Sequence, residues 1–218
     1  MSAKLIHCHP SDKELGKIYA PDLSLQASPN AMASALASIK VADDTSRFDW
    51  LQVAKSAYDA SYSVMAQPGD LDMGEVLAHL RNVIPENAIV TNGAGNFAIW
   101  PNKFLKFGPK GRLLAPQSGA MGYGVPAAIA AKLHDPSRFV LCFAGDGDFQ
   151  MNGNELGSAM QAGLPLIILI VNNGTYGTIR MHQERHYPER VSGTELVNPD
   201  FVTLAKAYGF YGERVEKT

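Results

Sequence analysis

Residues 139–156 read FVLCFAGDGDFQMNGNEL, and residues 164–177 read LPLIILIVNNGTYG. In both, a run of apolar residues without polar alternation gives way to a cluster of Gly, Asp and Asn. Such a run marks a strand buried on both faces, the condition of a parallel sheet covered by helices. A third run, Ala88–Thr91, leads into Gly93-Ala94-Gly95-Asn96. The three strands are expected at Ala88–Thr91, Phe139–Ala144 and Leu166–Val171, with helices near Gly124–Leu133 and Asn152–Ala162 between them. The fold class that follows is α/β, a parallel sheet with helices on both faces.

Working outward, Asp72 is a plausible N-cap for a helix that sets Met73, Val76, Leu77, Leu80, Val83 and Ile84 on one face and stops at Pro85. Near the other end, Asn198 is expected to cap a helix with Pro199 at its first position. Phe201, Leu204, Ala205 and Tyr208 would face inward, and Gly209 would end it. Upstream of the turn Gln67-Pro68-Gly69-Asp70, residues 46–68 read as a helical linker. Residues 1–45 read as strand Lys4–Cys8, helix Ser11–Ile18, strand Leu23–Gln26 and helix Asn30–Ile39, ahead of a polar break at Asp43–Asp49. Two strands and two helices are too few to cover a parallel sheet. The expectation is a C-terminal remnant of a second α/β domain, followed at 69–218 by a main domain cut short at its end.

Composition narrows the function. A net charge of -2 with no dense Lys/Arg tract excludes a general nucleic-acid or membrane-surface binder, which needs many cationic contacts. The longest apolar run, Leu164–Val171, is too short to span a bilayer, and the N-terminus lacks the layout of a signal peptide. Cys8 and Cys142 have no CxxC partner, which suits a reducing cytoplasm. A small-molecule partner and a cytoplasmic location are expected.

In an open parallel sheet, ligands collect at the carboxyl ends of the strands, where loops and helix N-termini leave N–H groups free. Here two such ends offer the Asp146 carboxylate, the Asn173 carboxamide and main-chain carbonyls, hard oxygen donors of the kind magnesium takes. A diphosphate and water would complete the octahedron, and glycines beside Asp146 would let phosphate oxygens approach the backbone. Asp146 alone could be a turn acid between glycines. Its spacing from Asn172-Asn173 favours the metal reading.

GDG followed by 24 residues and NN at the end of an apolar strand resembles the diphosphate signature of thiamine-diphosphate enzymes. The resemblance runs through most of Leu71–Val215. It implies that Asp146, Asn173 and the Thr175 carbonyl ligate Mg²⁺, and that the amides of Gly147 and Asp148 contact the diphosphate of thiamine diphosphate, with Gly145, Tyr176 and Gly177 also at the cofactor. Ser118–Pro126 resembles the segment that holds this cofactor bent. Met121 would be the wedge, with the Gly119 carbonyl and the Met121 amide on the aminopyrimidine and Ala120 between them. The turn Ala94, Gly95 and Asn96 would approach the diphosphate.

Leu5–Leu36 also resembles the end of the central domain of acetolactate-synthase-like and 2-oxo-acid-decarboxylase-like members. This implies decarboxylation or carboligation of a 2-oxo acid by a homo-oligomer, with FAD open as a further cofactor. Alternatives are a simple decarboxylase of benzoylformate or oxalyl type, or a non-catalytic cofactor-binding module. In the family, the catalytic glutamate comes from the N-terminal domain of a partner subunit. Nothing in this chain corresponds to it, so the chain alone is expected to bind cofactor weakly and turn over nothing.

Departures are informative. Position 148 is Asp where Ser, Ala or Cys is common, and its side chain is expected to be able to turn to solvent. His182 stands where biosynthetic acetolactate synthases carry a tryptophan, leaving the substrate open. Gly93–Ala98 matches GxGxxA, but no acid for a ribose lies between Glu86 and Asp135, which argues against a dinucleotide site. His7-Cys8-His9 offers too few ligands for zinc and is read as structural. His182 and His186, four apart, could bind zinc or reach a substrate carboxylate, and a solvated or substrate-facing surface is preferred.

Overall fold

The computed structural model describes residues 3–40 and 45–218. Asp43 and Asp44, which open the expected polar break, lie outside the described residues. The chain divides into two units between Ala57 and Tyr58.

In the first unit, β1 (Ile6–His9) pairs in parallel with β2 (Leu23–Gln26), from Ile6 opposite Leu23 to His9 opposite Gln26. The helix expected at Ser11–Ile18 does not form. A single 3-10 turn at Asp12–Glu14 takes its place: the Ser11 side chain caps nothing, Leu15 is extended, and Gly16 turns to φ +73°. An α-helix cannot pass through that left-handed residue. Helix α1 (Pro29–Ala37) is properly started, with the Ser28 hydroxyl accepting the Ala31 amide at 3.2 Å and Pro29 at the first position. Of the stretch 46–68 expected as a helical linker, only the part up to Ser61 is helical, in α2 (Thr45–Ser61), which runs across the division.

The second unit holds α3 (Met73–Val83), β3 (Ile89–Asn92), α4 (Ile99–Phe104), β4 (Arg112–Leu114), α5 (Gly124–His134), β5 (Val140–Gly145), α6 (Asp146–Asn152), α7 (Leu156–Gln161), β6 (Ile167–Val171), α8 (Gly177–His186) and α9 (Phe201–Ala207). Its parallel sheet runs in the order β4-β3-β5-β6. Because side chains alternate along a strand, β5 serves two cores. Val140, Cys142 and Ala144 pack with Val125, Ala128, Ile129, Phe149, Leu156 and Ala159, while Leu141 and Phe143 pack with Val90, Leu77 and Phe104. Both faces of the sheet are covered, as the unbroken apolar runs require. Among the described residues no helix is long and apolar enough to cross a membrane.

Several expectations are corrected. Asp72 does cap α3, accepting the Gly74 amide at 2.7 Å, but Val83 is exposed rather than on the buried face. Strand β4 adds a sheet edge that three residues led by Arg112, between Gly111 and Ala115, do not announce. The helix expected from Asn152 begins six residues earlier, directly at Asp146, and breaks at a 3-10 turn over Gly153–Glu155 before α7. Helix α9 is capped by Asp200, which accepts the Thr203 amide at 2.7 Å, and not by Asn198. Gly209 ends it as expected, at φ +86°.

Candidate cofactor and metal site

The carboxyl ends of β5 and β6 meet through one amide. The Gly174 N–H donates to Asp146 Oδ2 at 2.9 Å and to Asn172 Oδ1 at 3.1 Å, joining the residue after β5 to the turn after β6. That turn is held from within, where Asn173 Oδ1 accepts the Thr175 amide at 3.1 Å. It is held from outside by Thr194, whose carbonyl accepts the Tyr176 amide and the Thr175 hydroxyl, each at 2.8 Å.

A pocket of about 190 Å³ opens at this junction. Its wall includes Ala94, Gly95 and Asn96 after β3, Met121, then Gly145, Asp146, Gly147 and Asp148, and finally Asn173, Thr175, Tyr176 and Gly177. Gly119 and Ala120 stand outside it, both exposed, with Gly119 at φ +67°. The sequence reading passed over Phe97, Trp100, Val171, Thr178 and Ile179, which also line it. Thr178 and Ile179 follow the NNGTYG turn directly, and that adjacency was the available signal. The Thr178 hydroxyl donates to Asn96 Oδ1 at 2.8 Å, tying α8 to the turn after β3.

The glycines flanking Asp146 have a more local cause than ligand approach. A Cβ on Gly145 would meet the Phe97 ring and one on Gly147 the Tyr176 ring. They are glycines because the aromatic walls of the pocket press on them.

Asp148 does not turn to solvent. Its side chain is buried, and Oδ1 accepts the Gly122 amide at 2.7 Å and the Ala94 amide at 3.2 Å. Burial pushes its carboxyl above the ordinary range, against the lowering effect of the Gly122, Ala94 and Gly145 amides. It ties the turn after β3 to the segment that carries Met121.

Asp146 is also buried, and both side-chain hydrogen bonds it accepts fall on Oδ2, from Gly174 and from Asn198 Nδ2 at 2.6 Å. Among the described residues no hydrogen bond to Oδ1 is found. The Thr175 carbonyl accepts the Gly177 amide at 2.9 Å and keeps a second lone pair. Among the described residues no three His, Cys, Asp or Glu converge. The pocket wall carries no His or Cys, and its carboxylate, carboxamide and carbonyl oxygens are donors that suit Mg²⁺ completed by ligand and water oxygens. No Lys or Arg is among the lining residues. A bare diphosphate beside two carboxylates would be repelled, whereas one bridged through a divalent cation would be held.

Other candidates lie elsewhere. His182 and His186 stack at 6.0 Å on exposed α8, outside the pocket wall. In the first unit, His7 Nδ1 accepts the Gly16 amide, His9 Nδ1 the Ser11 amide, and the Cys8 thiol donates to the Ala27 carbonyl.

The family model for the thiamine pyrophosphate enzyme, C-terminal TPP binding domain, matches residues 93–218. The chain belongs to the thiamine pyrophosphate enzymes through this domain. It is 32% identical to the acetolactate synthase large subunit of Parasynechococcus marenigrum, over 98% of this chain and 35% of that protein. It is 31% identical to the acetolactate synthase isozyme 2 large subunit of Escherichia coli, over 99% of this chain and 39% of that one. The acetolactate synthase large subunit of Corynebacterium glutamicum is 35% identical, over 99% and 36%. The chain thus spans between a third and two fifths of the length of these curated relatives.

Proposed function

We propose that this chain supplies the diphosphate- and magnesium-binding half of an enzyme that decarboxylates a 2-oxo acid and joins the product to a second carbonyl, in the manner of an acetolactate synthase. The observation that carries the reading is the pocket with oxygen donors from two strand ends and no cation of its own. Asp146 Oδ1, the Asn173 carboxamide and the Thr175 carbonyl would hold Mg²⁺, which in turn would hold the diphosphate. The Gly147 and Asp148 amides would take further phosphate oxygens, and the Ala94–Asn96 turn would close over them. Met121 would prop the rings, with Gly119 and Ala120 on the segment leading to it.

Thiamine diphosphate supplies, when bound, an electron sink for the bond broken at the substrate carbonyl. The protein's part is to hold the cofactor by its charged end and to keep water from the reacting centre with Phe97, Trp100 and Ile179. The relatives' names, with alignment along nearly all of this chain, support a 2-oxo acid as substrate. A homo-oligomer in the cytoplasm, with the activating glutamate contributed by a partner subunit and FAD as a further cofactor, belongs to the same reading.

The test is a product assay with pyruvate, thiamine diphosphate and Mg²⁺ on this protein assembled with the subunit that contributes the glutamate, since the chain alone is expected to turn over nothing. Acetolactate is expected. Release of acetaldehyde alone would replace carboligation by simple decarboxylation, and no consumption of any 2-oxo acid in a substrate panel would overturn the reading.

A further inference from the structure

Asn198 does not line the pocket, yet it grips the carboxylate that the pocket presents. Its Nδ2 donates to Asp146 Oδ2 at 2.6 Å and to Asn172 Oδ1 at 2.9 Å, while its Oδ1 accepts Gln150 Nε2 at 2.8 Å. A carboxamide nitrogen has two hydrogens, so both are used, one at the tip of β5 and one at the tip of β6. Gln150 lies on α6, so a single side chain links the two strand ends and the helix between them.

The torsion that sets an aspartate carboxylate is soft and roughly two-fold. Left alone, Asp146 could present either oxygen over a broad range of angles. The Gly174 amide and Asn198 both hold Oδ2, which pins the carboxylate plane and assigns Oδ1 to a ligand. A small cation that demands near-ideal octahedral geometry is sensitive to that angle, and a larger, more tolerant one is not.

We propose that Asn198 is a positioning residue for the metal site, fixing the orientation of Asp146 and the spacing of the two strand tips for an ion of magnesium's size. The inference rests on the reading of Asp146 as a metal ligand. It also accounts for an asparagine directly before Pro199 that caps no helix.

The experiment titrates Mg²⁺, and separately Ca²⁺, into the intact protein at saturating thiamine diphosphate, following heat and tryptophan fluorescence. Wild type is compared with Asn198→Ala and with Asn198→Leu, which fills similar space without donors and serves if the alanine variant fails to fold. Loss of a group that orients a metal ligand weakens the metal by ~10–100-fold. That loss is expected for Mg²⁺, with a clearly smaller one for Ca²⁺. Unchanged Mg²⁺ affinity in both variants would overturn the proposal, as would equal losses for the two ions alongside a lowered melting temperature, the mark of a merely structural role. If wild type itself shows no Mg²⁺-dependent binding, the metal reading fails first, so the two failures are distinct.

Discussion

Asp148 shows how one side chain can shape a site by holding two turns together. Its carboxylate gathers amides from two separate turns, and the space it occupies is the space a Cβ on Gly93 would need. Gly93→Ala is expected to cost about 1–3 kcal/mol, as overpacking of a tight interior does. Asp148→Ala strands two amides at a cost of about 1–3 kcal/mol each where they stay buried. In the double variant the clash is gone, so the two effects should fall short of additivity in a denaturant-unfolding cycle. Strict additivity would mean that Gly93 and Asp148 do not compete for space. Cys142 offers a second check: fully buried, its thiol is pushed up to about 12 by desolvation. Since the thiolate is the reactive form, an alkylating reagent at neutral pH should reach Cys142 only after unfolding. Prompt labelling of Cys142 in the native protein, followed by mass spectrometry, would contradict its placement in β5.

Two helices of the second unit, α3 and α9, are capped by an aspartate side chain. The Gln67 amide, with those of Gly74 and Glu75, lowers the Asp72 carboxyl below its usual range, and the Thr203 amide and hydroxyl, with Arg214 nearby, do so for Asp200. A depressed carboxyl stabilises the fold above its unfolded value, about 3.9, and the benefit is lost as pH falls through the lower folded value. Asparagine caps comparably but does not titrate. Asp72→Asn with Asp200→Asn should therefore flatten the fall of melting temperature below about pH 4, and an unaltered acid limb would show that these caps do not contribute. The same elements show what the sequence could tell. Strands β3, β5 and β6 were legible to within a residue because burial on both faces leaves an apolar run. Strand β4 was not, since Arg112–Leu114 is a short edge. The start of α6 was hidden because Asp146-Gly147-Asp148 has the composition of a loop, whereas in the fold Phe97 packs closely against Gly145 and Tyr176 against Gly147. Asn198 was misread because an asparagine before proline has the local signature of a cap, while its partner Asp146 lies 52 residues away.

At the scale of the molecule, every residue of both hydrophobic cores falls in the second unit. A chain beginning at Tyr58 should unfold cooperatively, as seen by circular dichroism in denaturant, and Leu77→Ala within it should cost about 2–5 kcal/mol. Gradual, non-cooperative melting would place part of the core's support in the first unit. The pocket, at about 190 Å³, is below the roughly 300–1,000 Å³ usual for a site that buries a whole ligand. A pocket of that size holds part of a ligand, in accord with a chain that spans little more than a third of its relatives. A pocket with two carboxylates and no Lys or Arg in its wall would hold a diphosphate only through a divalent ion bound by Asp146. Calorimetry of thiamine diphosphate binding to wild type and to Asp146→Ala, each with Mg²⁺ and with a chelator, tests this most directly. Binding heat is expected for wild type with Mg²⁺ and in none of the other three samples. Equal heats for wild type and Asp146→Ala, or binding in the presence of chelator, would contradict it.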